Sequence, residues 1–516
     1  MTGTKLVKSA TVIMMMTFIN KAVGFLRDSL VASAFGTTYI TDAYNMAMTI
    51  VDFLFIMIAL AITTTFIPVL SDILNKKGKE EMFSFANNLI NILVTISIIV
   101  VILSIYFAPL LVRLIAPKFK GETLVLAIQL TKISAVSLVF LVIHSAYTAV
   151  LQTMDDFVIP TIVGILLNLP IIIYILLGAK GGVVGLTVAT VLGMVLRAIA
   201  QIPFLVKHGF KFKPTICFND NRIKSMIILI IPVIIGAGAN QINKVVDKTI
   251  SSGLPEGSIA ALSFGGRLSD VVYSTFAIAI ITVIFPTLSK TISENNSDEF
   301  KSYIIKTVNS INLIMIPSTV AMIALSTPLV TLLFKRGAFD DRSVTMTSQV
   351  IIFYSMGLTF YSLRDVFNKA LYAMKDTRTS TINSIISVAI NILLNIFSVK
   401  YLGLRGIAMS SAVSALICAI LLYKSLYKKV CGIDGKAILT SGIKIIIASV
   451  VMGLAMVLSY KLIIDYFNGF VGMVLSILVS ILIGATTYFI LISLLKIEEF
   501  TFLLKGIKSK VFRKNG

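Results

Sequence analysis

The chain has 516 residues, of which 57% are hydrophobic and only 13% are charged, a composition that excludes ordinary water-soluble domains. Its 45 Lys and Arg residues against 24 Asp and Glu give a formal net charge of +21. In a membrane protein such an excess is expected in cytoplasmic loops, so it does not indicate nucleic-acid binding. The 3 cysteines and 2 histidines are widely spaced and predict neither a disulfide framework nor a zinc site.

Apolar segments long enough to cross a bilayer recur along almost the whole chain. We therefore predict an all-α integral membrane protein with fourteen transmembrane helices. The first segment is too long and too charged for a cleavable signal peptide, so it is expected to remain as a span. The predicted spans cover residues 10–35, 42–70, 86–107, 124–151, 157–178, 182–206, 223–252, 258–289, 302–325, 345–374, 379–399, 404–423, 437–460 and 470–495.

The orientation follows from the distribution of basic residues. If the N-terminus is cytoplasmic, the inner segments contain more than twice as many Lys and Arg residues as the outer loops. This asymmetry predicts that both termini are cytoplasmic. The basic tail Lys505, Lys508, Lys510, Arg513 and Lys514 is then expected on the anionic inner leaflet, most simply as a topology anchor.

An internal repeat relates the two halves of the chain. A shift of 218 positions aligns Asp52 with Asp270 and the segment Pro68–Ser71 with Pro286–Ser289. The period encloses six spans, so the two copies are predicted to be two six-helix lobes related by a pseudo-twofold axis along the membrane normal. The predicted divisions are an N-lobe at 1–222, a C-lobe at 223–433, and two additional helices with the basic tail at 434–516.

Charged residues are concentrated inside four of the predicted spans. A charge at the centre of a span costs about 2.5–3.5 kcal/mol, so such residues are expected to face water or a partner. Their similar depth predicts one layer near the midplane, lining a polar cavity at the lobe interface. The residues are Lys21, Arg27 and Asp28 on helix 1, Asp52 on helix 2, Lys244, Asp247 and Lys248 on helix 7, and Arg267 and Asp270 on helix 8.

This set contains more cationic than anionic groups, which predicts an anionic substrate. Arg27 and Arg267 are the best candidate anchors, because a planar guanidinium can bind a phosphate through two hydrogen bonds. The alternative is that these residues form structural ion pairs, such as Arg267 with Asp270. For Arg364, Asp365 and Lys369 the structural interpretation is favoured, with Asp365 and Lys369 paired at i, i+4 spacing.

A cation site is a separate hypothesis. The carboxylate of Asp247, with the amides of Asn391 and Asn395 one turn apart on helix 11, could hold a sodium ion. Sodium or protons are thus candidate coupling ions, and no other cofactor is predicted.

Several motifs resemble the MurJ family of lipid II flippases, and the resemblance extends over essentially the whole chain. That family belongs to the same exporter superfamily as multidrug MATE transporters and polysaccharide-unit flippases. The motifs are Gly24-Phe-Leu-Arg-Asp28, Ala34-Phe-Gly36, Thr41-Asp-Ala43, Phe66-Ile-Pro68 and Gly266-Arg-Leu-Ser-Asp270.

The resemblance implies export of the undecaprenyl-diphosphate-linked peptidoglycan precursor from the inner to the outer leaflet of the bacterial cytoplasmic membrane. We expect the protein to be a monomer. Helices 1, 2, 7 and 8 would bind the diphosphate-sugar head, and helices 13 and 14 would form a groove for the lipid tail. Arg27, Asp28 and Arg267 match the family's essential cavity residues. Lys21 stands where many members have arginine, Asp270 where many have glutamate, and the arginine often found on helix 2 is missing.

Other functions remain as alternatives. A related transporter could export a capsule or teichoic-type lipid-linked oligosaccharide, or cationic drugs, although drugs would favour acids without this excess of Lys and Arg. A membrane glycosyltransferase would need a larger aqueous loop than the longest outer segment, Ser326 to Val344. A structural scaffold would leave the midplane charges unexplained, so we expect a transporter and not an enzyme.

Overall fold

The computed structural model describes residues 3–217, 219–220, 222–223, 241–430, 432–466, 469–497 and 499–500, and the described elements are all helical. Eleven helical segments are long and apolar enough to cross a membrane. The protein is therefore an all-α integral membrane protein, as predicted. The eleven segments are consistent with the fourteen predicted spans. The other three predicted spans correspond to the first helix, to the second helix together with the third, and to residues 223–252, which are described only in part.

The chain divides into two compact units. Unit 1 comprises 1–260 and 336–339, and unit 2 comprises 261–335 and 340–516. The division falls inside a helix, after the first turn of α13. It follows packing, whereas the predicted division at 222 and 433 follows the sequence repeat and stays a prediction.

Unit 1 contains twelve labelled helices within the described residues. They are α1 (Gly3–Phe35), α2 (Tyr39–Ala61), α3 (Ile67–Lys77), α4 (Lys79–Tyr106), α5 (Ala108–Ile115), α6 (Gly121–Ala135), α7 (Ser137–Thr153), α8 (Val158–Ile162), α9 (Leu169–Leu176), α10 (Gly182–Ile199), α11 (Ile202–Lys207) and α12 (241–251). A 3₁₀ turn, Ile165–Leu167, separates α8 from α9.

Unit 2 continues the chain with longer helices. They are α13 (Ser258–Ser293, whose first turn belongs to unit 1), α14 (Ser297–Ala324), α15 (Ser326–Phe334), α16 (Asp341–Met356), α17 (Leu358–Ala373), α18 (Thr377–Leu402), α19 (Leu404–Lys429), α20 (Gly435–Ile464) and α21 (Gly469–Leu494). Its first helices pack around Ile304, Ile311, Phe367 and Leu422. Helices α14, α20 and α21 share a second apolar core that includes Met452 and Ile477.

The second predicted span is interrupted, although its counterpart in the repeat is not. A π-helical turn, Ile62–Phe66, joins α2 to α3, and Pro68 lies in the first turn of α3. Proline has no N–H to donate to the preceding turn, and a π turn accommodates the lost hydrogen bond. Pro286 occupies the aligned position in α13, which continues through it. The proline alone therefore does not determine where a span breaks.

Three asparagines of α4 hold the segment 211–217 against that helix. Asn87 bonds the backbone of Lys211 and Lys213, and Asn91 donates to the carbonyls of Lys213 and Thr215. Asn88 accepts from the Cys217 N–H at 2.6 Å and donates to the Cys217 carbonyl at 3.0 Å. These amides satisfy backbone donors and acceptors of a segment that lies outside the helices.

An ion cluster follows the same segment. The Arg222 guanidinium donates to Asp220 and, at 3.0 Å, to Glu81 at the start of α4. The hydrogen bonds from Arg222 hold the pKa of the Asp220 carboxyl below its usual value. The loop is thus attached to α4 by both amides and charges.

We predict that Asn88→Ala will loosen this segment. Removing the amide eliminates two hydrogen bonds, each worth about 0.5–1.5 kcal/mol, so amide hydrogen exchange across 211–217 should accelerate by roughly tenfold. Mass spectrometry of the purified protein measures that exchange. Ser84→Ala, at an exposed position of the same helix, is the control and should leave the rate unchanged. Unchanged exchange in Asn88→Ala would show that the amide does not anchor the loop.

Candidate substrate-binding site

Arg27 lies near the end of α1 with its guanidinium held on two sides. Its Nε and Nη2 atoms donate to Asp28 Oδ1 at 2.9 and 2.7 Å, and its Nη1 donates to Asn168 Oδ1 at 2.9 Å. The Arg27 side chain is 20% exposed. A guanidinium has five N–H groups. Within the described part of the chain three of them are hydrogen-bonded, so two remain for a further acceptor. The arrangement can present a positioned, charged donor pair to an anion.

The same face of α1 packs on the segment 158–168. Asn20 donates to the Thr161 carbonyl at 2.6 Å, and a Cβ at Gly164 would lie 2.9 Å from Asn20 Nδ2. A side chain at position 164 would therefore displace Asn20. This close packing fixes the part of α1 from which Arg27 extends.

A polar stripe runs along α2. Asp42, Asn45, Thr49 and Asp52 recur at helical spacing, and Thr49 Oγ1 bonds back to the Asn45 carbonyl at 2.6 Å. Lys248 of α12 donates to Thr49 Oγ1 at 2.5 Å and to the Asn45 carbonyl at 3.5 Å. The ammonium group of predicted helix 7 therefore lies on predicted helix 2.

Asp42 bonds the backbone at the beginning of α13. The carboxylate accepts from the N–H groups of Gly257 and Ala260, both at 2.7 Å, and the residue is 5% exposed. The first N–H groups of a helix have no intrahelical acceptor, and an acidic side chain satisfies them. Gly257 has a φ of +86°, and a Cβ there would lie 2.1 Å from the Thr37 carbonyl oxygen. Glycine is therefore required where this turn meets the turn after α1.

The other predicted charged residues of unit 1 differ in exposure. Asp28 is buried, Lys21, Asp247 and Lys248 are partly buried, and Asp52 and Lys244 are exposed. A charged side chain inside a span has a high free energy in hydrocarbon. The exposed side chains of Asp52 and Lys244 therefore indicate contact with water. Unit 1 thus brings Lys248 onto helix 2 and pairs Arg27 with Asp28.

In unit 2, the predicted residues of helix 8 lie on α13. Arg267 is partly buried and Asp270 is exposed. One turn beyond Asp270, the Tyr273 hydroxyl donates to Asp365 on α17. The structure thus joins α13 to α17 through the side chains of Tyr273 and Asp365.

The predicted pairing of Asp365 with Lys369 is wrong. Asp365 accepts from Arg364 Nε at 2.9 Å, while the Lys369 ammonium lies 5.0 Å from the centre of the Phe285 ring. The Arg364 guanidinium is partly buried and gains a counter-charge from Asp365, whereas the Lys369 ammonium is stabilised by an aromatic ring face. Helical spacing alone could not distinguish these two partners.

The residues of the proposed cation site belong to different units. Asn391 and Asn395 are fully buried on α18 in unit 2, where Asn395 Nδ2 donates to Asn391 Oδ1 at 2.8 Å. Asn391 also donates to Ser411 and Ser414 of α19. Asp247 lies on α12 in unit 1. A sodium site formed by these three residues stays a prediction.

An apolar cavity of about 600 Å³ lies among α14, α20 and α21, the helices that contain predicted spans 9, 13 and 14. Pro317, Met452, Met456, Tyr488 and Phe489 are among the lining residues. Pro317 has no backbone N–H, so one backbone hydrogen bond of α14 is missing beside the cavity. The cavity can hold a hydrocarbon chain.

Comparison with known proteins decides the family. The profile of the family described as "Lipid II flippase MurJ" matches residues 31–495. The chain belongs to this family. The family membership and the helical segments together identify a multi-pass protein of the bacterial membrane.

Individual relatives agree with this assignment. The "Probable lipid II flippase MurJ" of Buchnera aphidicola subsp. Baizongia pistaciae is 30% identical over 466 residues, covering 89% of this chain and 91% of that protein. A solved structure described as "Lipid II flippase MurJ, inward closed conformation" superposes with a TM-score of 0.79 at 27% identity, over 94% of this chain and 98% of the other.

A second solved structure shows how widely the fold is shared. An inward-facing MATE multidrug transporter superposes with a TM-score of 0.70 at 16% identity, over 82% of this chain and 98% of the other. At that identity the likeness concerns the fold alone.

Asn45, Thr49, Asn168 and Tyr273 were not identified as site residues from the sequence, and Asp42 was noted only within a motif. The periodic polar positions of α2 were a usable signal, because 42, 45, 49 and 52 share one helix face. Asn168 and Tyr273 carry no comparable signal. Their partners lie 141 and 92 residues away in the sequence.

We predict that Asp42→Asn lowers the stability of the protein. The amide keeps one acceptor oxygen but places an NH₂ group against a backbone N–H, which should cost about 1–3 kcal/mol. The melting temperature, followed by circular dichroism at 222 nm in detergent, should fall by roughly a few degrees.

The matched control for this prediction is Asp72→Asn. Asp72 is exposed and pairs with Lys76 at i, i+4 spacing, so its replacement should change stability by less than about 0.5 kcal/mol. Equal melting temperatures for the two variants would contradict the capping role of Asp42.

Proposed function

We propose that this protein moves lipid II, the undecaprenyl-diphosphate-linked peptidoglycan precursor, from the inner to the outer leaflet of the cytoplasmic membrane. Membership of the MurJ family supports the substrate class. The observation that carries the binding chemistry is Arg27, which Asp28 and Asn168 orient while two of its N–H groups remain available. Guanidinium N–H groups bind phosphate oxygens through strong, charge-assisted hydrogen bonds.

The pairing with Asp28 has a chemical purpose in this proposal. A lone buried guanidinium would be costly to desolvate, and a strongly cationic site would retain its anion after transport. Asp28 offsets part of the charge and fixes the side chain before the substrate arrives, so less conformational entropy is lost on binding.

The remaining cations complete the head-binding set. Lys248, held by Thr49, supplies an ammonium group in unit 1, and Lys21 and Lys244 are further candidates. Arg267, in unit 2, is the second candidate guanidinium. A diphosphate offers enough oxygens for several of these donors at once.

Transport in this proposal follows alternating access and needs no covalent chemistry. The head enters from the inner side, binds these residues and leaves on the outer side after a conformational change. A ligand shifts such an equilibrium only as far as its affinities for the two states differ. The cations must therefore contact the diphosphate differently in the inward and outward states.

The undecaprenyl tail is assigned to the apolar cavity among α14, α20 and α21. Its lining is almost wholly hydrocarbon, which suits an isoprenoid chain and offers no partner for a charged headgroup. Keeping the tail in an apolar groove while the head crosses avoids transferring the lipid through water. The cavity lies beside the middle of α20, at Met452 and Met456, and beside the second half of α14, from Leu313 onward.

Two other transporter functions share this fold. Another lipid-linked oligosaccharide would use the same diphosphate anchor, so glycan specificity depends on residues beyond Arg27. A cationic drug exporter is less favoured, because oriented guanidinium and ammonium groups repel such a substrate. The likeness to the MATE transporter concerns the fold alone.

We predict that this chain restores growth of cells depleted of their own lipid II flippase. Arg27→Ala and Arg267→Ala should abolish rescue, because each removes a phosphate-binding guanidinium. Surface delivery of the precursor is measured by its accessibility to an externally added enzyme that cleaves lipid II. Immunoblotting of membranes confirms that every variant is present at the native level.

Arg378→Ala is the matched control, since Arg378 is exposed outside the predicted spans. It should rescue growth as well as the native chain does. Full rescue by both Arg27→Ala and Arg267→Ala would reject the anchors. Failure of the native chain, despite normal expression, would favour another lipid-linked glycan.

A further inference from the structure

A second cavity in unit 2 is polar and has no part in the transport proposal. Its volume is about 700 Å³, and it lies among the first turns of α14, the first turns of α20 and the residues Lys496, Ile497 and Glu499. By the predicted topology these three walls are all at the inner side. Ligand sites commonly have volumes of 300–1,000 Å³.

The lining is rich in lysine. Five lysines and three acidic residues contribute to it: Lys301, Lys306, Lys436, Lys444 and Lys496, with Asp298, Asp434 and Glu499. These residues come from segments far apart in the sequence, so folding and not local sequence creates the cluster. The cationic groups outnumber the carboxylates, which favours an anionic ligand over a metal ion.

Each carboxylate already has a partner. Asp434 accepts from the N–H groups of Lys436 and Ala437 at the start of α20. Glu499 accepts from Asn309 Nδ2 at 2.6 Å, and Asp298 lies 3.6 Å from Lys301. Within the described residues, Lys306, Lys436 and Lys496 form no ion pair with a carboxylate. Three lysines of the lining therefore have no carboxylate partner in the described part of the chain, and the Lys306 ammonium lies 5.9 Å from the centre of the Tyr303 ring.

Two buried polar atoms in the lining also lack a hydrogen-bond partner in the described part of the chain. They are Asn309 Oδ1 and Ser441 Oγ, and Asn309 is only 3% exposed. A buried polar atom without a partner costs about 1–3 kcal/mol, so such atoms point to a ligand or water. Asn309 Oδ1 is an acceptor and needs a donor, which a hydroxyl group on the ligand would supply.

We propose that this cavity binds a phosphate ester that carries a free hydroxyl group. The phosphate oxygens bond the ammonium groups of Lys306, Lys436 and Lys496, and the hydroxyl donates to Asn309 Oδ1. Lysine is a suitable phosphate ligand as a compact charge with three donors. The headgroup of phosphatidylglycerol and a soluble glycerol phosphate share this chemistry. The site is separate from Arg27, which lies in unit 1.

The test uses two charge-matched triple variants of the full-length protein. The cavity variant is Lys306→Gln with Lys436→Gln and Lys496→Gln, three exposed positions at which glutamine preserves most of the side-chain length. The control variant is Lys207→Gln with Lys211→Gln and Lys213→Gln, also exposed, in unit 1. Circular dichroism melting verifies that both variants fold.

One arm tests a lipid source and the other a soluble source. Native mass spectrometry compares bound phosphatidylglycerol with bound phosphatidylcholine after release from nanodiscs containing equal amounts of both. Isothermal titration calorimetry of the detergent-solubilised protein measures binding of glycerol 3-phosphate. In at least one arm the cavity variant should bind at least roughly tenfold more weakly than the native chain and the control variant.

The outcomes separate the sources. Selective loss of phosphatidylglycerol identifies a lipid headgroup site, and selective loss of glycerol 3-phosphate identifies a metabolite site. If neither probe distinguishes the cavity variant from the control variant, the proposal is wrong. This test does not use flippase complementation. Failure of the phosphate-ester proposal can therefore be distinguished from failure of the transport proposal.

Discussion

A charged side chain in the hydrocarbon interior is tolerated only when it is paired, hydrogen-bonded or in contact with water, and this constraint governs the site described above. Arg27 satisfies it through Asp28 and Asn168, and Lys248 through Thr49 and the Asn45 carbonyl. These partners hold each cation without neutralising the whole set. A transport site for a diphosphate needs both properties, because the cations must be stable without substrate and attractive to it.

The polar groups of unit 1 connect this site to the ends of the helices. Asp42 and Asp52 lie on the same face of α2 as Asn45 and Thr49, so one stripe includes both the carboxylate that caps the start of α13 and the groups that hold Lys248. A rotation or tilt of α2 would change both contacts together. The stripe is therefore a physical route by which occupancy of the site could bias the conformation of the helix end.

Much of the architecture could be predicted because hydropathy and span length report directly on the bilayer. The positions of Arg27, Asp28, Arg267 and Asp270 within helices followed from the same pattern. Their partners did not. Asn168 and Tyr273 are ordinary polar residues, and their contacts form only when distant segments of the chain pack together. Asp365 pairs with the adjacent Arg364 and not with Lys369, one helical turn away. The lysine cavity likewise combines three segments with no common sequence pattern. The aligned prolines Pro68 and Pro286 lie in an interrupted and a continuous span, so proline does not predict the π turn.

The central claim is that the charged positions inside the spans face water and contact the substrate head. Its most direct measurement is modification of Asp52→Cys, Lys244→Cys and Asp270→Cys by a membrane-impermeant, charged thiol reagent, in proteoliposomes and in a background whose native cysteines are replaced by serine. We expect all three to react, and added lipid II to slow each reaction. Cysteines that stay unreactive when the reagent is present on both sides of the membrane, or that react at the same rate with and without lipid II, would contradict the account.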